Sequence, residues 1–283
     1  MRNVFLINVS ENPLVVKNQI DNIKKFVSND EVIVLHISNT TKDNFINDSN
    51  THNLDFYNME SDGIYVNPTN IPTQRGHLLT DAFLSSFDFI KGRVDFGKVV
   101  LNSSNQLFFK HGFKEHLDNY RVGLYKIETL GPSGMFPNAK PKPFITKIFG
   151  EERKSYWSYH EGSFFDKGDF ETISDLIKDN NFDGTSEEQT IPTLFHNLYN
   201  DKDLKISPTS VWMNLYLSLD EISAMKLILD SEYEKLRGYV RYGLADSTNT
   251  PLRDVMLSGD FLFGIKRVGR TMDCPTRSFI NGL

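Results

Sequence analysis

Residues 3–38, NVFLINVSENPLVVKNQIDNIKKFVSNDEVIVLHIS, decide the fold. Asn3 to Val9 is a short apolar run that ends in polar residues. Val16, Ile20, Ile23 and Val27 then recur at helical spacing, and Glu31 to Ser38 is a second β-branched run. The spacing predicts strand, amphipathic helix, strand, a β-α-β unit whose strands lie parallel in one sheet. Ligands of such sheets favour the carboxyl ends of the strands. Those ends carry Asn8 to Ser10 and His36 to Ser38, polar residues that suit a nucleotide pocket and are equally ordinary loop chemistry.

Working outward, Asn39 to Asn53 is almost wholly Asn, Asp, Ser, Thr and Lys and reads as an exposed loop. Gly63 to Val66 reads as a strand, Leu78, Leu79, Ala82, Phe83, Phe87 and Ile90 mark a helix with a wide apolar stripe, and Lys98 to Leu101 is another buried strand. An α/β unit is therefore expected over residues 1–120, with the remaining 121–283 completing one domain. Leu130 to Pro143 is too rich in Gly and Pro for a regular element. Phe170 to Lys178 and Glu187 to Tyr199 look helical, Ser210 to Leu217 strand-like, and Asp220 to Leu236 a single helix. Ser218 and Glu221 stand ahead of that last helix at capping-box spacing. Tyr239 to Tyr242 and Phe261 to Val268 read as strands.

The 283 residues are 39% hydrophobic and 24% charged, an ordinary soluble composition able to bury a core. A net charge of −6 provides no broad basic surface, which argues against nucleic acid as a partner. One cysteine, Cys274, cannot form an internal disulfide or a Cys-rich zinc site and fits a reducing compartment. The apolar start is too short for a signal sequence, and no window approaches the roughly 20 apolar residues of a membrane helix. A cytoplasmic protein is expected, with membrane contact at most peripheral at the inner face.

Three stretches could carry chemistry. Thr185 to Leu194 begins a helix with two acids, Glu187 and Glu188, which the helix N-terminus or a capping box would explain. Neither explains Pro192 inside that helix, a residue that usually costs about 3 kcal/mol there. A strained helix beginning with acids is the better site candidate. Tyr156 to Phe165 concentrates aromatics around His160 and Glu161, either to stack on a sugar ring or as core. Phe261 to Val268 places Lys266 and Arg267 on a strand, with Arg241 on the preceding one, cations that could hold two phosphates or merely be solvated. The chain has no phosphate-binding Gly-Lys loop, no Gly-x-Gly-x-x-Gly and no His-Glu-x-x-His. Its one Asp-x-Asp, Asp201 to Asp203, follows a helix rather than a strand.

With these segments in order, the chain resembles the core-2/I-branching family of glycosyltransferases, the family 14 type that includes peptide O-xylosyltransferases. Four blocks carry the resemblance: the opening unit ending in Leu35-His36-Ile37-Ser38; Thr73-Gln74-Arg75-Gly76-His77 with Val99 to Asn105; Glu161 to Phe165 followed by Glu187 to Leu194; and Ser258 to Arg267. The resemblance implies a GT-A-like, Rossmann-type nucleotide-sugar-binding fold with a mixed central sheet flanked by helices. It also implies an inverting enzyme that works without a metal or other cofactor. Glu188 falls on the family's catalytic base, and Lys266 and Arg241 on its diphosphate-binding pair. Ser38 stands where the family has an acid and Arg75 where it has Trp, so Arg75 is a further candidate for the donor phosphates. Asn8, Ser10 and Ser38 are then expected at the donor nucleotide, and Glu161, His160, Trp157 and Asn105 at the acceptor.

The expected substrates are a nucleotide-diphosphate sugar, with UDP-sugar the leading donor, and a hydroxyl of a glycan or lipid-linked saccharide. Two other functions stand beside this one. Glu161 and Glu188 could form the carboxylate pair of a glycoside hydrolase, or the chain could be an inactive nucleotide-sugar- or glycan-binding module.

Overall fold

The computed structural model describes residues 1–73, 77–124, 127–128, 146–150, 153–180, 187–199, 204–208, 210–213, 217–239 and 261–283. Arg75, Arg241, the Asp201–Asp203 motif, the 130–143 stretch and most of the 239–242 strand lie outside them.

In chain order the first elements are β1 (Val4–Val9), α1 (Pro13–Phe26), β2 (Val32–Ile37), α2 (Lys42–Thr51), β3 (Ile64–Asn67), α3 (His77–Ile90), β4 (Lys98–Ser103), β5 (Gln106–Phe108), α4 (Phe113–Asn119) and β6 (Val122–Gly123). There follow β7 (Ile127–Glu128), β8 (Tyr156–Trp157), β9 (Phe164–Asp166), α5 (Lys167–Asp179), α6 (Glu187–Leu198), β10 (Ile206–Ser207), β11 (Val211–Met213), α7 (Glu221–Leu229), α8 (Tyr233–Arg237), β12 (Gly264–Lys266) and α9 (Pro275–Gly282).

The central sheet runs β10-β6-β9-β4-β1-β2-β3. β1 to β4 are mutually parallel, whereas β9 is antiparallel to β4 and β6, so the sheet is mixed. This is the α/β architecture expected, a mixed sheet flanked by helices and consistent with a GT-A-like, Rossmann-type topology. Every residue of β1 and β2 is buried, because helices cover both faces of a parallel sheet and leave no wet side to alternate with. Phe5, Ile7, Ile33 and Leu35 pack with Val16, Ile20, Ile23 and Phe26 of α1. Val4, Leu6, Val32 and Val34 pack with Phe83 and Phe87 of α3, Phe170 of α5 and Leu194 of α6 on the other face. α1 starts where Asn12 Oδ1 accepts from Val15 N–H at 3.0 Å, with Pro13 in its first turn. A smaller sheet, β11-β12-β5, lies on the α1 side of the core.

β1 lies between β2 and β4, so the connections leave it in opposite directions and the β1–β4 boundary is the topological switch point. At the carboxyl edge one register line crosses four strands, Ser103–Asn8–His36–Asn67. Here the apolar core gives way to polar groups: His36 Nε2 meets Ile71 O at 3.0 Å, and Asn67 Nδ2 donates to Ser85 Oγ at 3.0 Å.

Two local expectations are corrected. The polar stretch at 39–53 contains α2, anchored by Phe45 and Ser49 one turn apart. Ser49 Oγ donates to Phe45 O at 2.7 Å, and Phe45 packs on Phe56 with ring centres 5.5 Å apart. One buried aromatic is too little periodicity to read from sequence. The single helix expected over 220–236 is two, α7 and α8, because Ser231 adopts φ 58° and Glu232 N–H turns back to Leu227 O at 2.8 Å. The cap of α7 is Asp220, accepting from Ser223 N–H at 2.9 Å, while Ser218 Oγ donates to Tyr239 O. Among the described residues no helix is long and apolar enough to cross a membrane.

His116 of α4 is enclosed by Phe113, Tyr120, Phe164 and Phe263, and its Nε2 lies 2.7 Å from Ser207 Oγ. Burial pushes its pKa down to about 4. The unfolded chain therefore binds a proton that the folded chain refuses as pH falls from about 6.5 to about 4. Stability should be full above that window and fall by on the order of 3 kcal/mol across it. Urea melts at stepped pH test this: His116→Gln should flatten the acid-side loss, and an unchanged slope would contradict it.

Candidate active site

Pro192 sits in the sixth position of α6 and has no N–H for the carbonyl of Glu188 one turn earlier. Ser158 N–H, just past β8, donates to that carbonyl instead, at 2.9 Å. Thr193 Oγ1 completes the splice, accepting from Tyr156 N–H at 2.8 Å and donating to Tyr156 O at 3.0 Å. β8 is thus bonded along the broken side of the helix, which brings Trp157 beside Glu188. The indole Nε1–H lies 3.3 Å from Glu188 Oε2, and Trp157 packs edge-on against Tyr159.

The chain then turns at His160–Ser163, held on β4 by Gly162 N–H to Leu101 O at 2.9 Å and Leu101 N–H to Ser163 O at 2.8 Å. Gly162 has φ 71°, and a Cβ there would lie 2.6 Å from Val211 Cγ2, so both conformation and space require glycine. The turn aims Glu161 and His160 at α6. His160 Nε2 lies 3.1 Å from Glu161 Oε1, and its Nδ1 lies 3.0 Å from Glu187 Oε1 and 3.9 Å from Glu188 Oε1. Phe83 of α3 packs on the imidazole. Lys266, at the end of β12, forms an ion pair with Glu161.

Glu161, Glu187 and Glu188 therefore surround His160 and Lys266, and with a neutral imidazole two negative charges lack a counter-charge within this group. Burial pushes the Glu188 carboxyl up to about 7; Glu187 adds to the rise, while His160 and the Trp157 hydrogen bond oppose it. Burial lowers the Lys266 ammonium to about 8, with the charges of Arg267 and Arg270 contributing.

The expectation that no metal is involved is corrected here. His160, Glu187 and Glu188 each offer a ligand atom, and these atoms lie within 4.8 Å of one another. His160 Nδ1, 3.0 Å from Glu187 Oε1, and Glu187 Oε2 are buried without a hydrogen-bond partner among the described residues, so both have a lone pair to offer a cation. One imidazole and two carboxylates suit zinc or manganese. The missing strand-end Asp-x-Asp pointed away from a metal because these ligands come instead from a helix start and a turn.

The other expected residues are spread along the carboxyl edge. Asn8 Nδ2 donates to Leu79 O at 3.4 Å, and its Oδ1 is buried without a partner among the described residues. Ser10 is exposed at the end of β1, its hydroxyl 3.1 Å from that of Ser104. Ser38 is buried, and its hydroxyl bonds Thr73 N–H and Thr40, so its bonds serve the local loop. Asn105 occupies the β4–β5 turn, where its carbonyl accepts from Val268 N–H at 3.2 Å. Sequence reasoning counted Glu187 among the acids of a candidate site without giving it a role, and passed over Glu11, Ser104 and Arg270. The adjacency of Glu187 to Glu188 and of Arg270 to Lys266-Arg267 was the available signal.

No family model and no curated protein matches the chain, so the resemblance to the core-2/I-branching family extends no further than the blocks that carry it. Among solved structures, an active-site mutant of LgtC aligns over 100% of this chain and 95% of its own at 13% identity, with a TM-score of 0.47. The galactosyltransferase LgtC in complex with donor and acceptor sugar analogues aligns over 100% and 96% at 12% identity, with a TM-score of 0.44.

Two outcomes are expected. Titrating EDTA-treated protein with manganese or zinc should raise its melting temperature, and Glu187→Gln should remove most of the rise; superimposable curves would contradict a cation site. Thr193→Val removes the hydroxyl that bonds both the N–H and the C=O of Tyr156 and should cost about 1–3 kcal/mol in urea unfolding, whereas an unchanged midpoint would show that the splice is not needed for stability.

Proposed function

We propose that the chain is an inverting glycosyltransferase on a GT-A-like scaffold, moving a sugar from a nucleotide-diphosphate sugar, with UDP-sugar the leading donor, to a hydroxyl of a glycan or lipid-linked saccharide. The observation that carries this reading is a run of close contacts that links a largely buried carboxylate, Glu188, through His160 and Glu161 to the half-buried ammonium of Lys266. The sequence blocks that resemble the family place a base and a diphosphate-binding lysine at those same two positions.

In this reading Glu188 takes the proton of the acceptor hydroxyl as its oxygen attacks the anomeric carbon. The bond from that carbon to the diphosphate oxygen breaks, and Lys266 stabilises the charge that develops on the departing phosphate. A base whose proton affinity burial has lifted toward neutrality accepts a hydroxyl proton more readily than an exposed glutamate does. Trp157 orients the base through its indole N–H. Glu161 and His160 offer acceptors and a donor to sugar hydroxyls, and Asn105 lies on the turn beside β12. Arg241 and Arg75 retain their proposed places at the donor phosphates. A cation at His160, Glu187 and Glu188, when bound, would supply positive charge to the same cavity and would compete with the proton that Glu188 accepts as base.

The hydrolase alternative needs one carboxyl protonated as general acid. Glu161 is engaged by Lys266 and His160, which is poor support for that role.

Incubating the protein with a panel of nucleotide sugars and saccharide acceptors, with product read by mass, tests the assignment. Glu188→Gln should lower turnover by about 10²–10⁴-fold while leaving the fold intact. Near-wild-type turnover in that variant would overturn Glu188 as the base, and donor binding without transfer to any acceptor would favour the binding-module reading.

A further inference from the structure

Beyond β12 the chain carries three cations within five residues, Lys266, Arg267 and Arg270. Lys266 is committed to Glu161, but Arg270 reaches a different carboxylate. Its Nε lies 3.4 Å from Glu11 Oε1, with side-chain exposures of 64% for the arginine and 3% for the glutamate. Glu11 stands at the switch point, one residue before the cap of α1. Its Oε1 accepts from Ser10 Oγ at 3.3 Å and Ser104 Oγ at 3.2 Å, and Ser10 N–H donates to Ser104 Oγ at 3.3 Å. The loops that leave β1 and β4 are therefore stitched together around one buried carboxylate.

The contact of Glu11 with Arg270 is long, single-point and largely exposed, so it adds little to stability, while the buried guanidinium of Arg277 also attracts Glu11. The backbone nevertheless fixes Arg270 in place. Arg267 adopts φ 68°, a left-handed conformation that a non-glycine residue seldom takes. Val268 N–H is bonded to Asn105 O at 3.2 Å, and Gly269 O accepts from Arg277 Nη2 at 3.0 Å. Arg277 is fully buried on α9 and also bonds Asn18 of α1. A strained, doubly pinned segment that carries an exposed cation is built to aim that cation.

Arg270 makes no hydrogen bond among the described residues, and Arg267 pairs with no carboxylate among them. Both stand near enough to Lys266 to disfavour its charged form. Three cations against Glu11 and Glu161 leave a net positive charge at the crevice, next to the positive end of α1. The ligand that matches carries several negative charges and paired oxygens that can accept from the planar fork of a guanidinium, as a diphosphate does.

We propose that Arg270 binds the diphosphate of the nucleotide at the β1–β4 switch point, with Glu11 as the positioning residue that holds its guanidinium over the crevice. The proposal rests on the transferase reading for the identity of the ligand and adds a phosphate contact outside the Lys266–Glu161 pair.

The test is calorimetric titration of the full chain and of Arg270→Ala with UDP, GDP and CDP, with inorganic pyrophosphate, and with the matching nucleoside. For whichever diphosphate binds the wild type, Kd should rise about tenfold in Arg270→Ala. Pyrophosphate should weaken in parallel and nucleoside affinity should stay the same. Arg270→Lys should fall between the two, and Glu11→Gln should weaken the diphosphate about threefold while sparing the nucleoside. The exposure of Arg270 makes its truncation compatible with folding, which a melting curve verifies. An unchanged diphosphate Kd in Arg270→Ala would overturn this inference and leave the transferase reading standing. A wild type that binds neither pyrophosphate nor any nucleoside diphosphate would overturn both.

Discussion

A proline within a helix removes one backbone donor, and in this chain the loss falls on the carbonyl of Glu188. A buried carbonyl without a partner is costly, so something outside the helix must supply an N–H. Ser158 supplies it, and Thr193 binds both the N–H and the C=O of Tyr156 one turn further along. The consequence is geometric. A segment that could have run anywhere along α6 is fixed in register, which sets Trp157 against Glu188 and starts the turn that delivers His160 and Glu161. The 3 kcal/mol or so that a mid-helix proline usually costs is offset here by a docking interaction an ordinary helix could not make.

The charges follow from that placement. Once β8 is spliced to α6, three carboxylates share a cavity with one imidazole and one ammonium, and the excess negative charge has to be met by protons or a cation. Burial first, and the neighbouring charge of Glu187 after it, raise the proton affinity of Glu188, and His160, Glu187 and Glu188 stand at ligand-like spacing. At the neighbouring switch point the sign is reversed, with Arg267 and Arg270 against Glu11. An acidic pocket beside a basic crevice matches a reaction in which a proton leaves on one side while a phosphate departs on the other.

Most of the architecture was legible in the sequence because parallel strands buried on both faces are written as continuous apolar runs. Phe5 to Val9 and Val32 to Ile37 needed no tertiary knowledge. Glu188, Lys266 and Glu161 were legible through motif resemblance, and Pro192 through its violation of a local rule. What could not be read depends on contacts between distant segments. α2 is held by one aromatic pair, α7 ends because Ser231 turns left-handed, and Glu187 becomes a ligand candidate only when the turn at His160 meets it. The absence of a strand-end Asp-x-Asp wrongly excluded a cation, because ligands from a helix start and a turn leave no short spacing in the sequence.

The central claim is that one carboxylate, Glu188, directs a single displacement at the anomeric carbon. It is tested most directly by the anomeric configuration of the first product formed from a nucleotide sugar of known configuration, followed by proton NMR from the start of the reaction. The account predicts inversion. Retention of configuration would mean that the sugar is transferred without direct attack by a hydroxyl activated at Glu188, and would contradict it.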